Sequence, residues 1–300
     1  MSVQRIRLGH SPDPDDAFMF YGLATGMVDS GPFVFEHILR DIQTLNDWAM
    51  QGKLEVTAIS VHAYAYVQAQ YAILNCGASM GATGLVPYGS GVSSVPSNYC
   101  SANPAGPHGP LLVACKAMPL SEVAHKTIAI PGTLTSAFLV LQLVLGDVDY
   151  LVMKFDEIPD AVVEGKVDAG LIIHESQLTF HRQGLLSLLD LGQWWHEQTS
   201  LPMPLGCNVI RRDLGSAVQP ISKILKSSIE YSLSHRQEAM EYARQFGQEL
   251  DSTTANQFIG MYVNDWTLDF SPVGRQAVVE LLARGHQAGI IPPVEKIEFI

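Results

Sequence analysis

The stretch Val167–Phe180, VDAGLIIHESQLTF, constrains this chain more than any other. Its apolar run, bounded by Asp168 and Gly170, passes straight into His174 and Glu175. A run of that length reads as a strand buried on both faces, which requires a sheet covered by helices on either side. The expected fold is therefore α/β, with His174 at the carboxyl end of this strand. In open α/β sheets the crevice beyond that end is where ligands bind, so a titratable ring there is a candidate acid or base. A packed or capping histidine fits the same pattern, and the pattern alone leaves both readings open.

The rest of the chain repeats the strand, turn and helix rhythm. Residues Val3 to Gly9 alternate, stop at HSPDPDD, and give way to a short helix, AFMFYGLATG, for which Asp15 or Asp16 is the expected N-cap. Phe33 to Leu39 reads as a second strand, and Asp41 opens the helix DIQTLNDWAMQG. Val56 to Ile59 makes a third strand, with Ser60 starting the helix SVHAYAYVQAQ. Its Tyr64 and Tyr66 suit either an aromatic ligand or half-buried core positions with wet hydroxyls. Leu111 to Cys115 and KTIAIPG are strands, and TLTSAFLVLQLVLG is a helix whose first turn is crowded by Thr133, Thr135 and Ser136. Tyr150 to Met153 is a strand and Phe155 to Gly165 a helix. After the helix GQWWHEQTS, Pro202 and Pro204 favour an extended crossing segment. Ile221, Leu225, Ile229 and Leu233 recur every fourth residue, Ser234 with Gln237 reads as a capping box, and two further helices start at Asp251 and at Ser271-Pro272.

Three hundred residues suit two α/β lobes with a ligand cleft between them. The expected division is a large discontinuous lobe of residues 1–110 plus 206–300 and a small lobe of 111–205. Residues 82–108 form a Gly/Ser/Pro-rich insertion that reads equally as a lid or as a surface loop.

Charge and motifs exclude several functions. With 18 Lys plus Arg against 30 Asp plus Glu, the net charge of -12 argues against nucleic acid or an anionic membrane as partner. No window approaches eighteen uninterrupted apolar residues, and the start lacks the pattern of a secretory signal, so a cytoplasmic protein is expected. Cys76, Cys100, Cys115 and Cys207 show no CxxC or Cys/His spacing, so neither a disulfide framework nor a metal site is expected. There is no G-x-S-x-G turn, no phosphate loop and no G-x-G-x-x-G, which argues against nucleotide hydrolysis and hydride transfer.

What the sequence does carry is a set of uncharged donors at strand-to-helix turns: Ser11, Ser60, and the Thr133 to Ser136 cluster. Helix N-termini bind anions, so these turns suit a small-molecule carboxylate, with His174 left for proton transfer and Asp41 counted among the ligand-side residues. Neighbouring side chains in extended chain point to opposite faces, so Glu175 is poorly placed to orient the imidazole; a backbone carbonyl or another acid has to do so. His10, His62 and His108 need no more than solvated surface roles.

A family resemblance rests on longer stretches. In chain order, SPDPDDAFMFY, DIQTLNDWA, AGLIIHES, the pair Trp194-Trp195, LPMPLG at Leu201 to Gly206 and YVNDWTLD resemble the 1,4-dihydroxy-6-naphthoate synthases of the futalosine route to menaquinone. The likeness implies a two-lobed fold like the type II periplasmic binding proteins, with mixed sheets flanked by helices. It implies a cofactor-free lyase cleaving a carbon-carbon bond of cyclic dehypoxanthine futalosine. In it His174 matches the family's general base, Ser60 a ligand-contacting serine, and Thr135 with Ser136 the paired hydroxyls of the small lobe. Two departures stand out: Ser136 replaces the usual threonine, and the family's SPCPND opening is SPDPDD here. A non-catalytic binding protein for a small carboxylate and the chorismate dehydratase of the same pathway share this architecture, and a homodimer is one expected assembly.

Overall fold

The computed structural model describes residues 4–81, 108–246 and 252–300. The expected insertion therefore lies outside the described residues except for His108.

The chain opens with strand β1 (Gln4–His10), helices α1 (Pro14–Met19) and α2 (Tyr21–Ala24), β2 (Phe33–Leu39), α3 (Ile42–Met50), β3 (Val56–Ser60), α4 (Val61–Val67), β4 (Tyr71–Ile73) and β5 (Ser79–Gly81). It continues with β6 (Leu111–Ala114), α5 (Leu120–Val123), β7 (Ile128–Ile130), α6 (Ser136–Leu145), β8 (Tyr150–Val152), α7 (Ile158–Val163), β9 (Ala169–Ile172), α8 (Ser176–Thr179), β10 (Leu186–Asp190) and α9 (Leu191–Thr199). Strand β11 (Met203–Arg211) precedes α10 (Val218–Ser234), α11 (Arg236–Ala243), α12 (Ser252–Tyr262), α13 (Asp265–Leu268) and α14 (Ser271–Gln287).

These strands form two mixed sheets. The first runs β2-β1-β3-β11-β4 with β5 added to β11, and the second runs β10-β6-β9-β7-β8. β1 pairs in parallel with β2 and β3, whereas β11, returning from the second sheet, lies antiparallel to β3 with Gly206 opposite Ser60. In the second sheet β7 and β9 are parallel neighbours, so their carboxyl ends lie on the same side.

The fully apolar sequence of β9 is explained by its place between β6 and β7, with all four residues buried. Gly170 is required there: a Cβ would stand 2.6 Å from Ile158 and 2.8 Å from Val162 of α7, so the helix lies directly against the strand backbone. The four-residue spacing on α10 buries Ile221, Leu225, Ile229 and Leu233 against Phe18, Phe20 and Ile6 in the first lobe's core. Trp195 is fully buried, and its indole N–H donates to Pro202 O at 3.0 Å, which fixes the entry into β11.

Several local expectations are corrected. Ser234 is the last residue of α10, and its hydroxyl donates to the carbonyls of Glu230 and Tyr231 instead of capping α11. Tyr64 is core and Tyr66 is exposed, and neither is among the described residues lining the cavity that holds His174. His10, His62 and His108 are all buried, not solvated. His10 bonds Ser11 O through Nδ1 at 2.9 Å and His37 through Nε2 at 3.0 Å, while His62 Nδ1 bonds Thr135 O at 3.1 Å. Among the described residues no helix is long and apolar enough to cross a membrane.

Candidate active site

Four strand-to-helix turns meet at one place. β1 ends in the Ser11-Pro12-Asp13-Pro14 turn before α1, β3 ends at Ser60 before α4, β7 leads to Thr135 before α6, and β9 leads to His174 before α8. Residues from all four line a single cavity of about 740 Å³, counting its open mouth.

His174 adopts φ 67°, a left-handed conformation rare outside glycine, which turns the chain sharply between β9 and α8. The turn sets the ring against Phe155, centroid to centroid 4.0 Å, and points Nδ1 at the Asp13 carboxylate, 2.9 Å away. Side-chain exposure is 12% for His174 and 9% for Asp13, so water screens the pair little. Nε2 has no hydrogen-bond partner among the described residues. Burial works against a charged imidazole, but the Asp13 carboxylate outweighs it, aided by Glu175 and Asp15, and lifts the ring to about 9. Burial likewise opposes ionisation of Asp13, and the charge and hydrogen bond of His174 overcome it and hold the carboxyl below its usual range.

The acid that orients the imidazole is thus Asp13, and the expected capping role of the aspartate cluster is corrected. Asp13 occupies the N-cap position of α1 but its side chain caps nothing, and Asp16 accepts a hydrogen bond from Ser11 N at 2.7 Å. Burial raises Asp16 to about 6, and burial with the neighbouring charges of Asp16 and Asp13 raises Asp15 well above the carboxylate range. The cluster therefore sets Asp13, held below its usual range, beside two carboxyls that burial pushes upward. Asp13, His174 and Glu175 each bring one ligand-type atom within 4.8 Å of the others, so these are the described residues that could bridge a metal ion. Two of them already bond directly to each other.

Ser11, Ser60, Thr135 and Ser136 all line the cavity, as the sequence leads one to expect. Their hydroxyls are differently employed. Ser60 Oγ accepts from Asn46 Nδ2 at 3.1 Å, which leaves its own proton for a ligand. Thr135 Oγ1 donates to Gly132 O at 2.9 Å and accepts from Phe138 N at 3.2 Å, an ordinary N-cap. Ser136 Oγ donates to Leu205 O at 2.6 Å and accepts from His62 N at 3.2 Å, tying α6 to β11 and α4. The expected pair of hydroxyl donors is therefore consumed by the protein. What remains at this helix start are the backbone N–H groups of Ser136 and Ala137, which have no intrahelical acceptor and border the cavity. Asp41 lies apart from the cavity lining; it caps α3 by accepting from Thr44 N at 2.9 Å.

The sequence reading missed Asp13, Gln177 and Tyr262. The hydroxyl of Tyr262 donates to Gln177 Oε1 at 2.7 Å, joining α12 to α8 across the cavity wall. Only Asp13 carried a signal, as one of the charges in the SPDPDD turn at the carboxyl end of β1.

Comparison with known proteins bears on the fold and the family. The 1,4-dihydroxy-6-naphtoate synthase of Thermus thermophilus is 36% identical over 99% of this chain and all of its own length, and that of Streptomyces coelicolor is 32% identical over 97% and 96%. A crystal structure of a protein from Archaeoglobus fulgidus is 40% identical, covers 96% of this chain and 98% of its own, and superposes with a TM-score of 0.84. A Candida albicans protein described as having the generic periplasmic binding protein fold is 12% identical, covers 98% of this chain and 92% of its own, and gives a TM-score of 0.64, which shows the shared fold. Residues 6–86 and 98–287 match the family described as Menaquinone biosynthesis, and the chain belongs to that family.

Proposed function

We propose that this protein is a 1,4-dihydroxy-6-naphthoate synthase of the cytoplasm that cleaves cyclic dehypoxanthine futalosine without a cofactor, with His174 as the general base. The observation that carries the reading is the convergence of His174, Ser60 and the start of α6 on one cavity, although they arise from three different strand-to-helix turns. The substrate's carboxylate binds the N–H groups of Ser136 and Ala137, where the helix dipole favours negative charge. The Ser60 hydroxyl donates to a second oxygen of the ligand. Asp15, whose carboxyl burial and its acidic neighbours push upward, also lines this floor.

With Nδ1 engaged by Asp13, the proton acceptor of His174 is Nε2. It takes a hydroxyl or carbon-bound proton of the bound ring, the freed electron pair breaks the carbon-carbon bond, and the proton is then available to the leaving fragment. A base placed in this way contributes roughly 10² to 10⁴ in rate. The test is direct: the purified protein is incubated with cyclic dehypoxanthine futalosine and the naphthoate is sought by mass. Its appearance supports the reading. Retention of the intact compound without turnover favours a binding protein, and consumption of chorismate favours the dehydratase.

A further inference from the structure

We propose that Asp13 is a positioning residue for the reaction, one that fixes the tautomer, orientation and basicity of His174. The inference rests on the general-base reading above and assigns a role that the sequence left vacant. Its first support is geometric. Asp13 belongs to the turn after β1 and His174 to the turn after β9, in different sheets, yet their side chains meet at 2.9 Å. An imidazole has two nitrogens and one proton when neutral. With a carboxylate fixed at Nδ1 the proton stays there, and the lone pair falls on Nε2, the nitrogen without a partner among the described residues. Asp13 is itself held, because Ser11 Oγ accepts from its backbone N–H at 3.3 Å and Pro12 and Pro14 flank it, restricting the backbone on both sides.

The second support is the strained turn. His174 stands at φ 67° without being glycine, and such a conformation persists only where the surroundings impose it. The Asp13 bond and the Phe155 ring, 4.0 Å away, hold the imidazole on opposite counts: one by charge, one by contact. Other charges face the pair. Asp15 and Asp16 of α1 and the adjacent Glu175 act on His174, His10 acts on Asp13, and Asp156 acts on Glu175. Of these only Asp13 bonds the ring.

The test uses the full chain with labelled histidine, read by NMR, beside the pH profile of kcat/KM. In the wild type above pH 9 the neutral ring of residue 174 is expected as the Nδ1–H tautomer. Asp13→Asn is expected to lower the titration midpoint of His174 by at least one pH unit, move the kcat/KM profile with it, and reduce the plateau tenfold or more. KM should stay within about threefold, because Asp13 contacts the histidine and not the carboxylate-binding helix start. Asp13→Glu restores the charge on a longer arm and is expected to recover the midpoint but not the full plateau. An Nε2–H tautomer in the wild type, or an active Asp13→Asn enzyme with midpoint and plateau unmoved, overturns the role. A midpoint that moves in a protein that makes no naphthoate upholds the pairing and overturns the reaction instead.

Discussion

The Asp13 carboxylate and His174 Nδ1, 2.9 Å apart, join the two sheets through a buried ion pair at the edge of the cavity. Breaking one partner of such a pair costs about 3–5 kcal/mol, because the other is left charged and out of water. His174→Ala is therefore expected to lower stability as well as activity. His174→Gln keeps a neutral donor for Asp13, so it should fold with a smaller loss of stability than His174→Ala and lose roughly 10² to 10⁴ in kcat. Calorimetry and turnover on the same preparations separate the two effects.

The pair also makes stability depend on pH. Folding raises the His174 pKa from 6.5 to about 9, so its contribution is fully present below pH 6.5 and is lost as pH rises through about 9. Its size is about 3 kcal/mol at the scale of 1.4 kcal/mol per pH unit. Melting temperature should fall between pH 6.5 and 9 in the wild type, and the slope should flatten in His174→Gln. An equal slope in both proteins would assign the dependence to other groups.

Ser136 gives a contrasting case. Its hydroxyl bonds Leu205 O and His62 N inside the protein, so Ser136→Ala leaves a buried N–H and a half-buried carbonyl without this partner, at about 1–3 kcal/mol for each group that finds no other. The expected result is a lower melting temperature with KM changed far less than stability. Thr135→Ala, which removes the N-cap of α6, should cost about 0.5–2 kcal/mol.

The carboxylate grip can be removed without touching a side chain donor. Ala137 occupies the first turn of α6, where proline is tolerated because its N–H is not used by the helix. Ala137→Pro deletes that N–H and is expected to raise KM by ten- to a hundredfold, the equivalent of about 1.5–3 kcal/mol for a hydrogen bond to a charged group. Unchanged KM in a folded variant would place the carboxylate elsewhere.

The strand through Val167–Ile173 and the spacing on α10 were legible in the sequence because burial acts residue by residue and leaves a periodic trace. His174, Ser60 and Thr135 were legible as positions, since the carboxyl end of a strand is defined by the strand itself. What their atoms bond to was not. Ser136 looked like a free donor, and only the approach of β11 and α4 shows its hydroxyl to be spent. Asp13 looked like one more charge in an acidic turn whose capping candidates were Asp15 and Asp16, because a contact between the turns after β1 and β9 leaves no pattern in either segment. Ser234 failed as a cap for a simpler reason: α10 runs through it.

The central claim is that His174, held by Asp13, removes a proton from a naphthoate precursor in this cavity. Its most direct test is the pH dependence of kcat/KM for naphthoate release from cyclic dehypoxanthine futalosine, measured for the wild type and His174→Gln. The account predicts a wild-type rate that climbs with pH toward a limb near 9, as the ring loses its proton, and a variant reduced at least a hundredfold with that limb gone. A variant of wild-type rate, or a wild-type profile with no titration in the alkaline range, would contradict it.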